Sequence, residues 1–293
     1  DTYTAGFILG PRVNAGGRIG QSDIGARLLS TNDEREVIGL AERLNQLNEE
    51  RRAVEADILI QAEAMSFDEE APITFVASEK WHPGVIGIVA SRLKDKYHRP
   101  AIVIAIEDGV GKGSGRSVGN VDLGAAIIAA RQSDLLINGG GHKMAAGLTV
   151  AADKIDDLKN FLNERIGKIL AAEPFTPTLT VDGVVSAGAL TPDFISQLEK
   201  LAPFGTGNPE PQFALADCKI AFAKVVGENH VKVAIQQGGH RLDAIAFRAM
   251  DSALGPALLS ASGQLCHLAG NVRLNVWQGR ESVQLIIKDA AVG

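Results

Sequence analysis

The chain carries only two cysteines in 293 residues, Cys218 and Cys266, with no second cysteine close to either in sequence. That spacing excludes a zinc ribbon and a disulfide framework, and it fits a reducing cytoplasm. The six histidines, at 82, 98, 142, 230, 240 and 267, are scattered, with none paired at ligand spacing and no aspartate cluster beside them. A two-metal phosphodiester hydrolase needs several carboxylates and histidines bridging ions about 4 Å apart, and no such set is legible. No serine has an evident base beside it. No apolar run approaches the ~20 residues that a membrane span needs, so no membrane partner is expected. The chain opens at Asp1 without a methionine or a signal-peptide pattern, which reads as a fragment.

What is present suits a globular protein with two modest domains, at 45% hydrophobic and 22% charged residues. The net charge of −6 is unevenly placed. Residues 32–70 hold twelve acids against four Lys or Arg, whereas residues 80–150 hold nine Lys or Arg against five acids. Binding follows the local field more than the total, so the overall sign does not argue against nucleic acid.

Three sections follow one another. The first opens with "GFILGPRVNAGGRIG", a glycine-rich stretch, and continues into a long helix from Asn32 or Asp33. Val37, Leu40, Leu44, Leu47, Val54, Ile58 and Met65 fall at helical spacing, and Asp33, Glu34 and Glu36 favour the helix N-terminus. Its length, roughly 50 Å, and the polar Asn48 and Arg51 in its seam leave a coiled coil and a connector between globular parts both open.

The second section alternates strand and helix over about 71–172. "ITFVAS" and "PAIVIAI" read as strands, and "LLIN" as a short strand leading into glycines. "PGVIGIVASRLKDKY", with Pro83 in its first turn, "VDLGAAIIAAR" and "DKIDDLKNFLNERIGKIL" read as helices, which together predict an α/β domain. The third section, about 173–293, is strand-rich. "LTVDGVVS", "HVKVAIQ", "VRLNVW" and "SVQLIIK" read as strands, the last two as a hairpin turning at Gly279. Val272, Leu274, Val276, Val283, Leu285 and Ile287 would share its buried face. "TPDFISQLEKL" is the single clear helix, capped by Thr191 with Pro192 behind it. Five or six strands with one helix suggest a small barrel, for which an OB-like fold is one option.

The strongest local signal is "LINGGGHKMAAGLTV". Three consecutive glycines cost ordering entropy and add nothing to packing. Gly139, Gly140 and Gly141, with His142 and Lys143, suit a turn whose bare N–H groups hold a phosphate; a tight structural turn is the alternative. "GVGKGSGRSVGNVDLG" fits neither the Walker A spacing nor the dinucleotide fingerprint, because Ile106 and Arg116 stand where glycines belong. It leaves Lys112, Ser114, Arg116 and Ser117 on open backbone, able to grip a phosphate by guanidinium and hydroxyl, or to form a solvated turn. Arg12, Asn14 and Arg18 offer a third phosphate contact or a packed turn. "LAPFGTGNPEPQF" is expected to be a rigid loop with aromatic ends in the core. Arg273, Asn275, Trp277 and Gln284, with Arg280 at the turn, make a platform on which single-stranded bases could stack, or a covered barrel edge.

Taken together, these segments resemble the RecJ exonucleases of the DHH phosphoesterase superfamily. "GPRVNAGGR" is similar to the motif that closes their catalytic domain, and the acidic helix to the connector behind it. "WHPGVIGIVASRL", "GSGRS" and "GGGHKMAAG" resemble the DHH-associated domain, and "LAPFGTGNPEPQF", "ENHVKVAI" and "RLNVWQGRESVQLIIKD" resemble the OB domain. The resemblance implies four parts: residues 1–31 as the tail of the catalytic domain, 32–70 as a connector helix, 71–172 as an α/β DHH-associated domain, and 173–293 as an OB-like β-barrel.

It further implies a cytoplasmic hydrolase of DNA repair and recombination that releases nucleotides from the 5′ end of single-stranded DNA. Single-strand-binding protein and a helicase would be further partners. The Asp-His-His motif that names the superfamily is missing from this sequence. Mg²⁺ or Mn²⁺ would therefore be held outside these residues, and the chain would grip DNA without cleaving it. By analogy Ser114, Arg116, Gly140, Gly141 and His142 would hold phosphates beside the scissile one. Two alternatives are a phosphodiesterase of the same superfamily acting on oligoribonucleotides or cyclic dinucleotides, and a non-catalytic module like that ending alanyl-tRNA synthetases. An OB section is not expected in the first.

Overall fold

A computed structural model of the chain describes residues 2–65, 70–277 and 279–292, apart from the side chains of Trp277, Arg280 and Val292. The chain divides into two compact units, one running to Pro177 and one starting at Thr178.

In the first unit, Thr4–Leu9 wind as a π-helical segment that runs into α1 (Gly10–Ile19), with Pro11 in its first turn. The glycine-rich opening, expected as a turn, is thus helical. Its small residues serve close packing instead. A Cβ on Gly25 of α2 (Ile24–Ser30) would come 2.5 Å from the Val13 carbonyl oxygen, and one on Gly20 would come 2.9 Å from Leu47.

The long helix is α3 (Glu34–Ala64). The Asp33 carboxylate caps it by accepting the Arg35 and Glu36 N–H groups at 2.9 and 3.4 Å. Its 31 residues span about 46 Å at ~1.5 Å each. Leu44 and Leu47 are buried with Ala15 and Ile24, while Ile58 and Ala62 are buried with Trp81, Val85 and Val89. The polar seam between these groups closes on itself. Arg51 donates to Glu55 at 2.7 Å and to Asn48 at 3.0 Å, and Arg92 approaches Glu55 at 3.4 Å.

A five-stranded sheet follows, in the order β1-β2-β3-β5-β4. Its strands are β1 (Thr74–Ser78), β2 (Ala101–Glu107), β3 (Val110–Arg116), β4 (Asn138–His142) and β5 (Ala145–Ala151). β1 and β2 are parallel and the other pairs antiparallel. α4 (Ile86–Tyr97) joins β1 to β2, α5 (Leu123–Gln132) joins β3 to β4, and α6 (Ile155–Ala172) follows β5. On one face α5 and α6 bury Leu123, Ile127, Leu158 and Leu162 against Ile102, Ile104 and Leu148. On the other, α4 and the end of α3 bury Val89, Leu93 and Ile58 against Val76 and Val103. β2 is apolar from Ala101 to Ile106 because both its faces are covered there, and only its last residue, Glu107, is charged and exposed.

Three local expectations change. α4 begins at Ile86, after Pro83, because His82 Nδ1 accepts the Gly84 N–H at 3.0 Å and closes a turn ahead of the helix. The stretch "GKGSGR" is the central strand β3, not an open loop. Its alternate glycines face α5 and α6, where a Cβ on Gly111, Gly113 or Gly115 would come within 2.6–2.7 Å of Ile104, Leu148 or Leu123. The triple glycine is likewise not a turn: with Asn138 and His142 it is the edge strand β4 itself, and Leu135–Ile137 only approach it.

In the second unit the short β6 (Gly183–Val184) precedes α7 (Pro192–Glu199), where the Thr191 hydroxyl accepts the Phe194 N–H at 3.2 Å. Five long strands then close a barrel: β7 (Phe213–Val226), β8 (His230–Gln237), β9 (His240–Ala246), β10 (Leu265–Trp277) and β11 (Arg280–Val292), with α8 (Leu254–Ser260) between β9 and β10. The strand order β7-β8-β9-β11-β10 returns to β7, and β9 runs parallel to β11. This is the five-stranded Greek-key arrangement of an OB fold. Leu215, Ile220, Val233, Leu242, Leu268 and Leu285 fill the interior.

β7, β9 and α8 carry no strong sequence signal, and "LTVDGVVS" contributes only two strand residues. Val272, Val283, Leu285 and Ile287 of the hairpin are buried as expected, but Val276 is 60% exposed because the hairpin outruns the barrel. Of the aromatic ends of "LAPFGTGNPEPQF", Phe213 is buried and meets Phe194 edge-on at 5.5 Å, while Phe204 is half-buried. Cys218 and Cys266, distant in sequence, are directly paired across β7 and β10 as buried free thiols, their sulfurs 3.8 Å apart.

Candidate nucleic-acid interface

The strand register brings the sequence motifs of the first unit onto one sheet face. Arg116, Ala145 and His142 stand abreast on β3, β5 and β4; so do Ser114, Gly147 and Gly140; so do Lys112, Thr149 and Asn138. Neighbouring strands are ~4.8 Å apart, so each row spans about 10 Å. α4 packs over β1, β2 and β3 on this face, with Gly87 against the Ser114 and Arg116 side chains. The β4–β5 half is left open. A Cβ on Gly140 or Gly147 would meet no atom within 4 Å, and a shallow hollow of about 310 Å³ lies over Asn138, Gly140, Gly147 and Thr149.

The three glycines therefore have different physical roles. Gly139 backs onto α5, where a Cβ would come 2.8 Å from Ile127. Its N–H meets Asn138 Oδ1 at 2.9 Å and its carbonyl accepts from Arg131 at 3.2 Å, so both groups point away from β5. Gly141 is pressed on the hairpin backbone, with a hypothetical Cβ 2.5 Å from Ala146 Cα. Only Gly140, with its partner Gly147, keeps a bare surface free for a ligand.

Positive charge gathers beside this surface. Arg116 donates to Ser114 Oγ at 3.1 Å and to the Gly115 carbonyl at 2.8 Å, which fixes the guanidinium over β3. Burial, and then the like charge of Arg18, push the Arg116 guanidinium below its ordinary value. Arg18 reaches the Gly84 carbonyl at 3.3 Å. Neither arginine has an ion pair among the described residues, so an anion placed between them would relieve the repulsion. His142 and Lys143 are exposed at the hairpin end.

Other candidates separate from this cluster. Ser117 is buried, and its hydroxyl donates to the Val121 carbonyl at 2.7 Å; it braces the β3–α5 turn and is removed from the phosphate set. Arg12 donates to Asn45 at 2.9 Å and to the Ile8 carbonyl at 2.7 Å within the helical region. In the second unit Arg273 makes a two-pronged pair with Glu210 at 2.8 and 2.7 Å, which occupies its guanidinium. The side chains of Trp277 and Arg280 lie outside the described part of the structure. Asn138, Gly147 and Thr149 are not singled out by their residue types or spacing. The alternating glycines of "GKGSGR" are the signal that could have placed them, since they mark a strand and hence a shared face.

Among the described residues no group of three or more His, Cys, Asp or Glu is placed to hold a metal ion. No described helix is long and apolar enough to cross a membrane.

An α/β unit bearing this glycine–histidine hairpin, followed by an OB barrel, defines a DHH-associated type of nucleic-acid protein. Family models agree in detail: residues 70–168 match the DHHA1 domain and residues 181–289 the RecJ OB domain. The chain is 37% identical over 297 residues to the single-stranded-DNA-specific exonuclease RecJ of Bacillus subtilis, covering 99% of this chain and 37% of that protein. It is 35% identical over 298 residues to the protein of the same name from Escherichia coli, covering 96% and 50%. The crystal structure of RecJ with Mg²⁺ from Thermus thermophilus superposes with a TM-score of 0.82 at 29% identity, over 99% of this chain and 44% of that one. The chain belongs to the RecJ family, and it spans half or less of the length of these relatives.

Proposed function

We propose that this chain is the substrate-gripping part of a metal-dependent 5′-to-3′ single-stranded-DNA exonuclease, and that alone it binds single strands without cleaving them. The observation that carries the reading is the open sheet face at Gly140 and Gly147 beside the unpaired Arg18 and Arg116. A sugar–phosphate backbone can approach the bare glycines more closely than any side chain would allow. Arg116 and Arg18 supply charge for one phosphate, and the Ser114 hydroxyl a further donor. His142 and Lys143 extend the contact toward the hairpin end. The OB barrel adds a second surface of a type that binds single strands.

Related structures hold Mg²⁺ or Mn²⁺, but the described residues provide no ligand set that fits either ion. No hydrolytic step is therefore assigned to these residues. Their task is to hold and orient the strand, while hydrolysis belongs to the catalytic domain, of which residues 1–31 would be the tail. Single-strand-binding protein and a helicase are partners in keeping with such an enzyme.

The test is a salt titration of fluorescence anisotropy with a labelled oligonucleotide, as single strand and as duplex, with magnesium present. Single-strand preference, a steep salt slope and an intact probe are expected. Equal weak binding to both forms, or cleavage of the probe, would overturn the reading.

A further inference from the structure

A second, deeper cleft of about 690 Å³ opens at the C-terminal ends of β1 and β2, walled by the β1–α4 loop and the β2–β3 turn. We infer that it is a nucleobase pocket serving the strand whose phosphates rest on Ser114 and Arg116, and that it favours bases carrying an amino group. The inference rests on the reading above.

The cleft continues the phosphate row. Lys112, which lines it, is the next residue after Arg116 and Ser114 on the same face of β3, each step being ~6.8 Å. A strand held at Arg116 and Ser114 can therefore keep its backbone at Lys112 and turn a base into the cleft. Its size suits a small ligand rather than an ion. Its floor includes Ala105 and the ring of Trp81, which is 4% exposed and fixed by donating its indole N–H to Gln61 Oε1 at 3.0 Å. Such a floor accepts a flat, weakly polar group.

The rim carries the carboxylates of Glu79, Glu107 and Asp108 and the ammonium groups of Lys80 and Lys112. Among the described residues none of the five has an ion-pair partner. Three carboxylates would repel a second phosphate, and two lysines disfavour a bare cation. A base edge, which both donates and accepts, meets both demands. The excess of acceptors selects exocyclic amines, as a carboxylate does when it accepts from cytosine N4. Thymine has no such amine.

Trp81 reports directly once Trp277→Phe leaves it as the only tryptophan of the two. In that background the full chain is titrated with 5′-phosphorylated trimers of deoxycytidine, thymidine and a base-free analogue of equal charge, following tryptophan emission. The deoxycytidine trimer is expected to shift the emission saturably and to bind roughly five- to tenfold more tightly than the thymidine trimer. The base-free analogue should leave emission unchanged. Val110→Phe, at the cleft mouth and 36% exposed in the wild type, should erase the preference while a longer oligonucleotide keeps its salt slope. Equal binding of all three trimers, unaffected by Val110→Phe, would overturn the pocket; a slope still flattened by Arg116→Ala would then leave the phosphate site standing. A slope indifferent to Arg116→Ala would overturn both.

Discussion

Gly140 on β4 stands directly opposite Gly147 on β5, and the two together leave a side-chain-free window in a sheet face that is otherwise furnished. One residue along, Gly141 lies against the hairpin backbone. The same motif therefore contains a glycine for the ligand and a glycine for the fold, and substitutions can tell them apart.

Gly140→Ala has room for its methyl group, and alanine loses less backbone freedom on folding, so stability should stay within about 1 kcal/mol of wild type. Single-strand affinity should fall, because the methyl group stands where the strand must approach. Gly141→Ala has to displace backbone and should cost on the order of 1–3 kcal/mol. Denaturant melts paired with anisotropy titrations check both halves. A destabilised Gly140→Ala, or one that binds normally, would show that the window is not the contact.

Arg116→Ala should lower affinity and flatten the plot of log affinity against log salt by about one phosphate contact. Arg116→Ala loses hydrogen bonds to Ser114 and the Gly115 carbonyl, but it also relieves the repulsion with Arg18, and neither arginine has a carboxylate partner among the described residues; the free protein should therefore lose no more than about 1 kcal/mol. Arg18→Ala is expected to behave alike. Arg12→Ala, which breaks contacts to Asn45 and Ile8, should lower stability while leaving the salt slope unchanged.

The two serines of "GSGRS" should separate in the same way. Ser117→Ala removes a buried hydrogen bond to the Val121 carbonyl and should cost about 1 kcal/mol of stability with little effect on binding. Ser114→Ala should do the reverse. Thermal unfolding with and without oligonucleotide distinguishes them.

Burial, reinforced by the neighbouring Cys266 thiol, raises the Cys218 thiol to about 12. In the unfolded chain the same thiol ionises near its ordinary value of ~8.5. Between these values the unfolded state binds fewer protons than the folded one, so the stabilisation is complete below about pH 8.5 and is lost as pH rises toward 12. Cys218→Ala should flatten that alkaline decline, as measured by urea melts at successive pH values. Neither thiol should react with a disulfide reagent at pH 8 before the barrel unfolds, since the thiolate is the reactive form.

Much of the architecture was legible in local pattern. Asp33 before a helical apolar series, Thr191 before Pro192, and the alternation in "VRLNVWQGRESVQLIIKD" each act through neighbours in sequence, and each forms as expected. The β3 glycines look like a loop in sequence because glycine's weak strand preference says nothing about a core that has no room for side chains. β7 and β9 are harder to see: the period of β7 is broken by a bulge between Ile220 and Phe222, and each strand, besides pairing with the adjacent β8, is held by a second partner distant in the chain, β10 for β7 and β11 for β9.

By itself the sequence determined that an α/β section precedes a strand-rich one, that the glycine–histidine hairpin and "GSGRS" belong to one basic stretch, and which family these motifs resemble. Tertiary structure alone decided which glycine is open and which is packed, that Ser117 points inward while Ser114 and Arg116 share a face with Gly140, that Arg18 comes to Arg116, and that Cys218 meets Cys266. The physical reason is the same each time. A strand presents two faces of equal chemistry, and only the order of its neighbours and the placing of the helices decide which face is buried and which is left to a ligand.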